Sequence, residues 1–155
     1  MRDENVKNIQ DKLMMQFQKM DTAYENYARS KGLNYLGLMV MHDIYVLGDG
    51  CTQKQICEDT HYPKQSINLT VKAFLKDGYI ELIKKPENLK NRYISLTDKG
   101  RAFCDEVVVP LMQREERAMT SMGEERSRQL FRLLEMYAKE YCDGVGELTE
   151  EKSNE

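Results

Sequence analysis

The sequence predicts a mainly α-helical protein with one small β-hairpin. Along most of the chain, apolar residues recur three or four positions apart, as they do on one face of a helix. In residues 79–85 and 92–97 this spacing changes to an alternation of apolar and polar residues, which is typical of strands. Proline, asparagine and charged residues lie between these segments, in residues 86–91, and indicate a solvated turn. The predicted order is therefore helices, then the hairpin, then further helices.

The first two of the four helices predicted before the hairpin flank Gly32. The first spans about residues 6–30, and the side chain of Asn34 can cap the second. The sequence Gly-Asp-Gly at residues 48–50 ends the second helix with residues that tolerate a positive φ. Its expected buried side comprises Leu36, Met39, Val40, Ile44 and Leu47.

A short third helix and a longer fourth helix follow. Thr52 is a favourable N-cap for the third helix, residues 52–60. Pro63 suits the first turn of the fourth helix, about residues 64–76, because a residue in a first turn needs no backbone N–H donor. The side chains expected to point inward from these two helices are Ile56, Ile67, Val71, Phe74 and Leu75.

Two helices are predicted after the hairpin. Thr97 can cap the fifth helix, which extends to about Met119, and Pro110 within it predicts a kink or a break near Val109. The sixth helix spans about residues 124–142.

The charge of the chain is unevenly distributed. The net charge is −3, yet residues 51–101 hold ten Lys and Arg and six Asp and Glu, a balance of +4 that leaves −7 elsewhere. A basic segment within an acidic chain indicates a phosphate-binding surface in that segment. No apolar run approaches the roughly 20 residues of a membrane span, and the N-terminus has no signal-peptide pattern. A cytoplasmic protein with no membrane partner is therefore expected.

The third and fourth helices together with the hairpin indicate a winged helix-turn-helix. In this motif the second of the two helices, which is the fourth helix of the chain, fits the major groove of double-stranded DNA. Its polar face carries amide, hydroxyl and ammonium groups that can bond base edges or phosphates. Cations at the hairpin tip can reach a minor groove or the backbone. A solvated helix face would explain the fourth helix alone, but not the turn, the helix and the basic hairpin together. The predicted DNA-binding residues are Thr52, Lys64, Gln65, Ser66, Asn68, Thr70, Lys72, Asn88, Lys90 and Arg92.

Residues 52–82 and 91–100 resemble the MarR family of transcriptional regulators. The resemblance is carried by a Thr-Gln start to the third helix, the segment Lys-Asp-Gly-Tyr-Ile at 76–80 and the segment Leu-Thr-Asp-Lys-Gly at 96–100. It extends over nearly the whole chain, because the leading and trailing helices match the family's architecture. The family's Asp-x-Arg wing signature is replaced by Asn88 and Lys90, and Lys lacks the bidentate fork of Arg.

The resemblance implies a homodimeric regulator, in most cases a repressor, that binds a pseudo-palindromic operator and is released by a small molecule or a stress signal. Large apolar residues in the terminal helices support dimerisation independently, although packing within one chain is an alternative. The expected dimerisation residues are Leu13, Phe17, Met20, Leu111, Leu130, Leu134 and Tyr137. The chain would then comprise a dimerisation helix at 1–33, the winged helix-turn-helix at 34–101, dimerisation helices at 102–146 and a disordered tail at 147–155.

The resemblance also implies a cleft that admits a small aromatic effector. Residues that could line it are Tyr24, Tyr27, Tyr35 and Met39, although such residues at helical spacing are also ordinary core residues. No catalytic motif or Gly-rich phosphate loop is found, so neither enzymatic activity nor a cofactor is expected.

Two further alternatives concern the cysteines and histidines. The spacing of His42, Cys51, Cys57 and His61 is not that of a structural zinc site, so no metal is expected. Redox sensing remains an alternative through Cys51, which precedes the N-cap of the third helix. The second alternative function is that of a winged-helix adaptor, which would bind a protein instead of DNA.

Overall fold

The computed structural model describes residues 4–85 and 88–151, with side chains described for residues 4–84 and 92–146. These residues form six helices and a two-stranded antiparallel hairpin, so the predicted fold class and element order are confirmed. No helix within the described ranges is both long and apolar enough to cross a lipid bilayer. The elements are α1 (Glu4–Ser30), α2 (Tyr35–Leu47), α3 (Gln53–Thr60), α4 (Lys64–Lys76), β1 (Ile80–Lys85), β2 (Asn88–Leu96), α5 (Asp98–Met122) and α6 (Glu124–Glu151).

The predicted caps set the starts of α2 and α3. The Asn34 side chain accepts a hydrogen bond from the backbone N–H of Gly37 at 2.7 Å. Thr52 and Gln55 form a capping box, in which each side chain accepts a hydrogen bond from the other residue's backbone N–H. At its other end α3 stops at His61, whose φ of 56° is uncommon for a residue other than glycine. This left-handed residue turns the chain towards Pro63 and the start of α4.

The core is built from α2, α3, α4, the hairpin and the first part of α5, together with Ala28 of α1. Ile56, Ile67, Val71 and Phe74 are buried as predicted, whereas Leu75 is only half-buried. The expected buried side of α2 is wrong in part, because Leu38 and Met41 are fully buried whereas Leu36, Met39 and Leu47 are only half-buried. Nearly every residue of α2 is apolar, so periodicity alone does not identify the face that packs inward.

The hairpin differs from the prediction in where its second strand begins. β2 starts at Asn88, within the segment predicted to be the turn, and residues 86–87 lie outside the described part of the chain. Ile80 is paired with Leu96 and Leu82 with Ile94, and the register shifts between Ile83 and Lys85. The segment before α3 is attached to the same sheet, because the backbone N–H of Ile94 donates to the Cys51 carbonyl at 2.8 Å.

The start of α5 is attached to the turn that precedes β1. The Thr97 hydroxyl donates to the Gly78 carbonyl at 2.7 Å and accepts from the Gly100 backbone N–H at 3.0 Å, which confirms the predicted cap. At Gly100 a Cβ atom would lie 1.9 Å from the carbonyl oxygen of Tyr79. These contacts explain the Leu-Thr-x-x-Gly segment. Its threonine forms a hydrogen bond with the turn before β1, and its glycine allows that turn to pack closely against the start of α5.

The chain divides into two compact units, Met1–Pro110 and Leu111–Glu155. The sequence predicted a kink or a break near Val109. α5 passes through Pro110 without a break, so the predicted break is wrong. α6 continues to Glu151 instead of ending near residue 142, so the predicted tail at 147–155 is helical as far as 151. Residues 152–155 lie outside the described residues.

Candidate DNA-binding surface

α4 buries one face and exposes the opposite one. Ile67, Val71 and Phe74 form the buried face, and each is at most 4% exposed. The residues on the opposite side are spaced by four, three and four positions, which places them in one continuous row along the helix. This row, here called the α4 stripe, consists of the exposed residues Gln65, Leu69, Lys72 and Lys76.

The structure divides the DNA-binding residues predicted in α4 into two groups. Lys64, Gln65 and Lys72 are exposed. Ser66, Asn68 and Thr70 are half-buried on the flanks of the helix, and the Thr70 hydroxyl donates to the Ser66 carbonyl at 3.1 Å.

The sequence prediction missed two members of the α4 stripe, Leu69 and Lys76. Leu69 is apolar, so a search for polar base-reading groups passed over it. The signal that could have identified both is their spacing from Gln65 and Lys72, which puts them on the helix face opposite the core.

The remaining predicted DNA-binding residues lie at the start of α3 and in the hairpin. Thr52 is half-buried, and its hydroxyl donates to the side-chain oxygen of Gln55 at 2.9 Å within the capping box. Arg92 is exposed on β2. Asn88 and Lys90 also belong to β2, but their side chains lie outside the described part of the structure.

Asp49 joins the loop before α3 to β2 and α5. One of its carboxylate oxygens accepts from the Ser95 hydroxyl at 2.8 Å and from the Leu96 backbone N–H at 3.3 Å. The other forms a charge-assisted hydrogen bond with the Arg101 guanidinium. Hydrogen bonding by Arg101, and then by Ser95, lowers the pKa of the Asp49 carboxyl. These bonds fix the hairpin relative to the helix-turn-helix.

A cavity of about 160 Å³ lies among residues of α2, α3 and the turn that follows α3. Tyr35, Met39 and Tyr62 line it, and Tyr35 and Tyr62 also line a neighbouring cleft of about 580 Å³ that reaches α1. Two of the four predicted effector residues, Tyr35 and Met39, therefore border this cavity. Tyr24 packs edge-on against Tyr35, with ring centroids 6.1 Å apart, whereas the Tyr27 hydroxyl donates to the Val107 carbonyl at 2.7 Å.

Carboxylates that the sequence prediction did not consider border the same space. Asp43 and Asp59 line the cavity and Asp21 lines the cleft. One Asp43 oxygen lies 3.2 Å from His42 Nδ1, while the other is buried and has no hydrogen-bond partner among the described residues. Burial raises the pKa of Asp43, and burial followed by the charge of Asp21 raises the pKa of Tyr35. The cavity is thus both aromatic and acidic.

The cysteines differ in exposure. Cys51 is 3% exposed and Cys104 is buried, whereas Cys57 is half-buried and Cys142 is exposed. Burial raises the pKa of the Cys104 thiol to about 11, which disfavours the reactive thiolate. Because Cys51, the candidate redox sensor, is almost fully buried, it lacks the accessibility that a redox-sensing cysteine needs.

Several predicted dimerisation residues remain accessible in the single chain. Met20 is 56% exposed, and the other six are half-buried. Neighbouring apolar positions that the prediction did not include are more exposed than these six. These are Val6, Ile9 and Met15 in α1 and Phe131, Leu133, Met136, Tyr141 and Val145 in α6.

No protein-family model matches the chain. A curated relative, the HTH-type transcriptional regulator BilQ of Clostridium symbiosum, is 24% identical over 90 residues. That match covers 58% of this chain and 62% of the relative, so it spans about three fifths of the relative's length.

Solved structures resemble the chain over most of its length. NMB1585, a MarR family regulator from Neisseria meningitidis, has a TM-score of 0.73 at 23% identity, with 88% of this chain and 96% of that chain covered. The MepR–DNA complex of S. aureus has a TM-score of 0.70 at 14% identity, with 83% and 93% covered. MarR of Staphylococcus aureus in complex with salicylate and kanamycin has a TM-score of 0.67 at 12% identity, with 89% and 93% covered. The shared feature is the fold, and the predicted winged-helix architecture is confirmed.

Proposed function

We propose that this chain, which has the winged-helix fold of the MarR family regulators, is itself a MarR-type transcriptional regulator that binds double-stranded DNA. The observation that carries the proposal is the α4 stripe, which presents an amide and two ammonium groups on the helix face opposite the core. The solved MepR–DNA complex supports it, because that protein shares the fold and is bound to DNA.

In this proposal α4 enters the major groove. The Gln65 amide can form two hydrogen bonds with an adenine edge, and Lys72 and Lys76 can reach phosphates on either side of the groove. Arg92 on the hairpin extends the positive surface towards the backbone or a minor groove. The balance of +4 in residues 51–101 gives this module an attraction for DNA that the acidic remainder of the chain lacks.

The active species is a homodimer with one α4 in each half-site of a pseudo-palindromic operator. Support comes from the apolar side chains of α1 and α6 that the single chain leaves exposed. Scattered exposed apolar residues are common on monomers, but rows of them along two long helices are typical of an interface. The division into terminal dimerisation helices and a central DNA-binding module belongs to the same proposal.

Regulation would come from a small ligand in the aromatic cavity beside α3. A ligand that binds one spacing of the two α4 helices better than another shifts the dimer towards it and changes DNA affinity. The salicylate complex of a protein with the same fold supports a small-molecule site. In this chain, however, Asp43 and Asp59 at the cavity favour a neutral or cationic aromatic ligand over an anion. Repression is the expected outcome of DNA binding.

A gel-shift titration with the duplex upstream of the protein's own gene tests the proposal. We expect retardation of the duplex, and we expect Gln65→Ala to weaken specific binding by about 1–3 kcal/mol, as for the loss of one bidentate base contact. Lys76→Ala should weaken binding to all duplexes alike and lower the salt slope by about one. Lys139→Ala in α6 is the control, because that lysine is paired with Asp143 far along the sequence from α4 and should leave DNA binding unchanged.

Absence of retardation at low salt would overturn the DNA-binding proposal. Weak retardation that does not depend on salt would instead favour a winged-helix adaptor, since binding to phosphates releases counterions and is always salt-dependent.

A further inference from the structure

Among the described side chains of the DNA-binding module, the most exposed large apolar one lies at the centre of the α4 stripe. Leu69 is 61% exposed and points away from Ile67 and Val71, the buried residues nearest to it in sequence. Gln65 is four residues before it and Lys72 three residues after it, so both are its neighbours along the same helix face. A surface that approaches base edges would therefore bring Leu69 to them as well.

We propose that Leu69 contacts the C5-methyl group of a thymine and makes the protein select thymine at one position in each half-site. This inference rests on the proposed DNA-binding function. Thymine presents a methyl group in the major groove, whereas the other bases present donors and acceptors there without an added methyl. A leucine can neither donate nor accept a hydrogen bond, so it gains only from the methyl.

The same side chain disfavours the other bases. Where Leu69 covers the N4 amino group of cytosine or the N7 and O6 atoms of guanine, it removes water from polar groups and offers no bond in return. Discrimination therefore has two physical parts: burial of the thymine methyl, and desolvation of polar edges at an incorrect base.

The spacing on α4 constrains where this thymine lies. Gln65 and Leu69 are four residues apart, which is about 6 Å along a helix axis. Base pairs are stacked about 3.4 Å apart, so the two side chains reach positions at most about two base-pair steps from each other. The selected half-site should therefore contain an adenine that Gln65 reads and, within about two steps, the thymine that Leu69 reads.

Selection from a randomised duplex library with the full chain, followed by single replacement of each thymine by deoxyuridine, tests the inference. Deoxyuridine lacks only the C5-methyl group. We expect one replacement per half-site to weaken wild-type binding about three- to fivefold, the equivalent of about one buried methyl group. In Leu69→Ala the shorter side chain ends closer to the helix axis and no longer reaches the methyl, so this variant should lose the penalty and tolerate other bases at that position. The variant should remain folded, because alanine is the most favourable residue in an exposed helix.

Val46→Ala is the matched control, since Val46 is 56% exposed on α2 and lies outside the α4 stripe. This variant should keep every deoxyuridine penalty of the wild type. If the wild-type protein enriches no sequence, the proposed function fails and this inference fails with it. If it enriches a site but Leu69→Ala retains all the deoxyuridine penalties, the inference alone is wrong.

Discussion

At the scale of single residues, Gly100 connects two distant parts of the chain. Its lack of a side chain lets the first turn of α5 approach the Tyr79 carbonyl, which also accepts a hydrogen bond from the Thr97 backbone N–H at 3.1 Å. Glycine inside a helix normally costs about 1 kcal/mol relative to alanine. Here the close approach of backbone to backbone reverses that preference.

Gly100→Ala should therefore destabilise the protein by about 1–3 kcal/mol, the usual cost of an atom forced into a packed site. Thermal unfolding should show a melting temperature lower by several degrees. Gly144→Ala in α6 is the matched control, because nothing lies within 4 Å of a Cβ atom there. That variant should be neutral or more stable, and equal stability of the two variants would contradict the role given to Gly100.

At the scale of secondary-structure elements, Asp49 holds the loop before α3, β2 and the start of α5 together. The hydrogen bond from Arg101 lowers the pKa of Asp49 below its ordinary value of 3.8. A carboxyl with a lowered pKa in the folded state contributes stability above the pKa of the unfolded chain and loses it as the pH falls through the lower folded value.

Asp49→Asn should therefore lower the melting temperature at pH 7, because the amide can still accept from Ser95 but cannot form the ion pair with Arg101. The difference from the wild type should shrink as the pH falls below about 4, because there the carboxyl of the unfolded chain takes up protons before the carboxyl of the folded protein does. Asp11→Asn, at an exposed position in α1, provides the comparison and should show no such pH-dependent difference. A difference for Asp49→Asn that stays constant from pH 7 to pH 3 would contradict the ion-pair explanation.

At the scale of the whole molecule, α1 and α6 present more apolar surface than one chain covers. In α1 only Ala28 is buried, and among the α6 residues with described side chains none is buried. The interface we propose is therefore built largely from apolar side chains of these two helices that the single chain leaves half-buried or exposed.

Met136→Lys should raise the dimer dissociation constant about tenfold or more, because it would place an unpaired charge in an apolar interface. Sedimentation velocity at a series of concentrations measures this shift. Val46→Lys, at a similarly exposed apolar position in α2, should leave the sedimentation profile unchanged. A wild-type protein that sediments as a monomer at high micromolar concentration would disprove the proposed dimer.

The sequence by itself determined the element order, the caps at Asn34, Thr52 and Thr97, and the buried face of α4. These features depend on side chains within a few positions of one another, so local spacing carries the information. Local spacing was insufficient for α2, in which nearly every residue is apolar, and for the start of β2, which depends on pairing with β1.

Only the tertiary structure decided which residues from separate elements meet. It placed Gly100 against Tyr79, joined Asp49 to Arg101, grouped Asp43 and Asp59 around one cavity, and buried Cys51 beside Ile94. It also showed that Leu69 lies on the face of α4 opposite the core, where a search for polar residues had not included it. The physical reason is that helix periodicity defines an apolar face, whereas contacts between faces depend on how the whole chain packs.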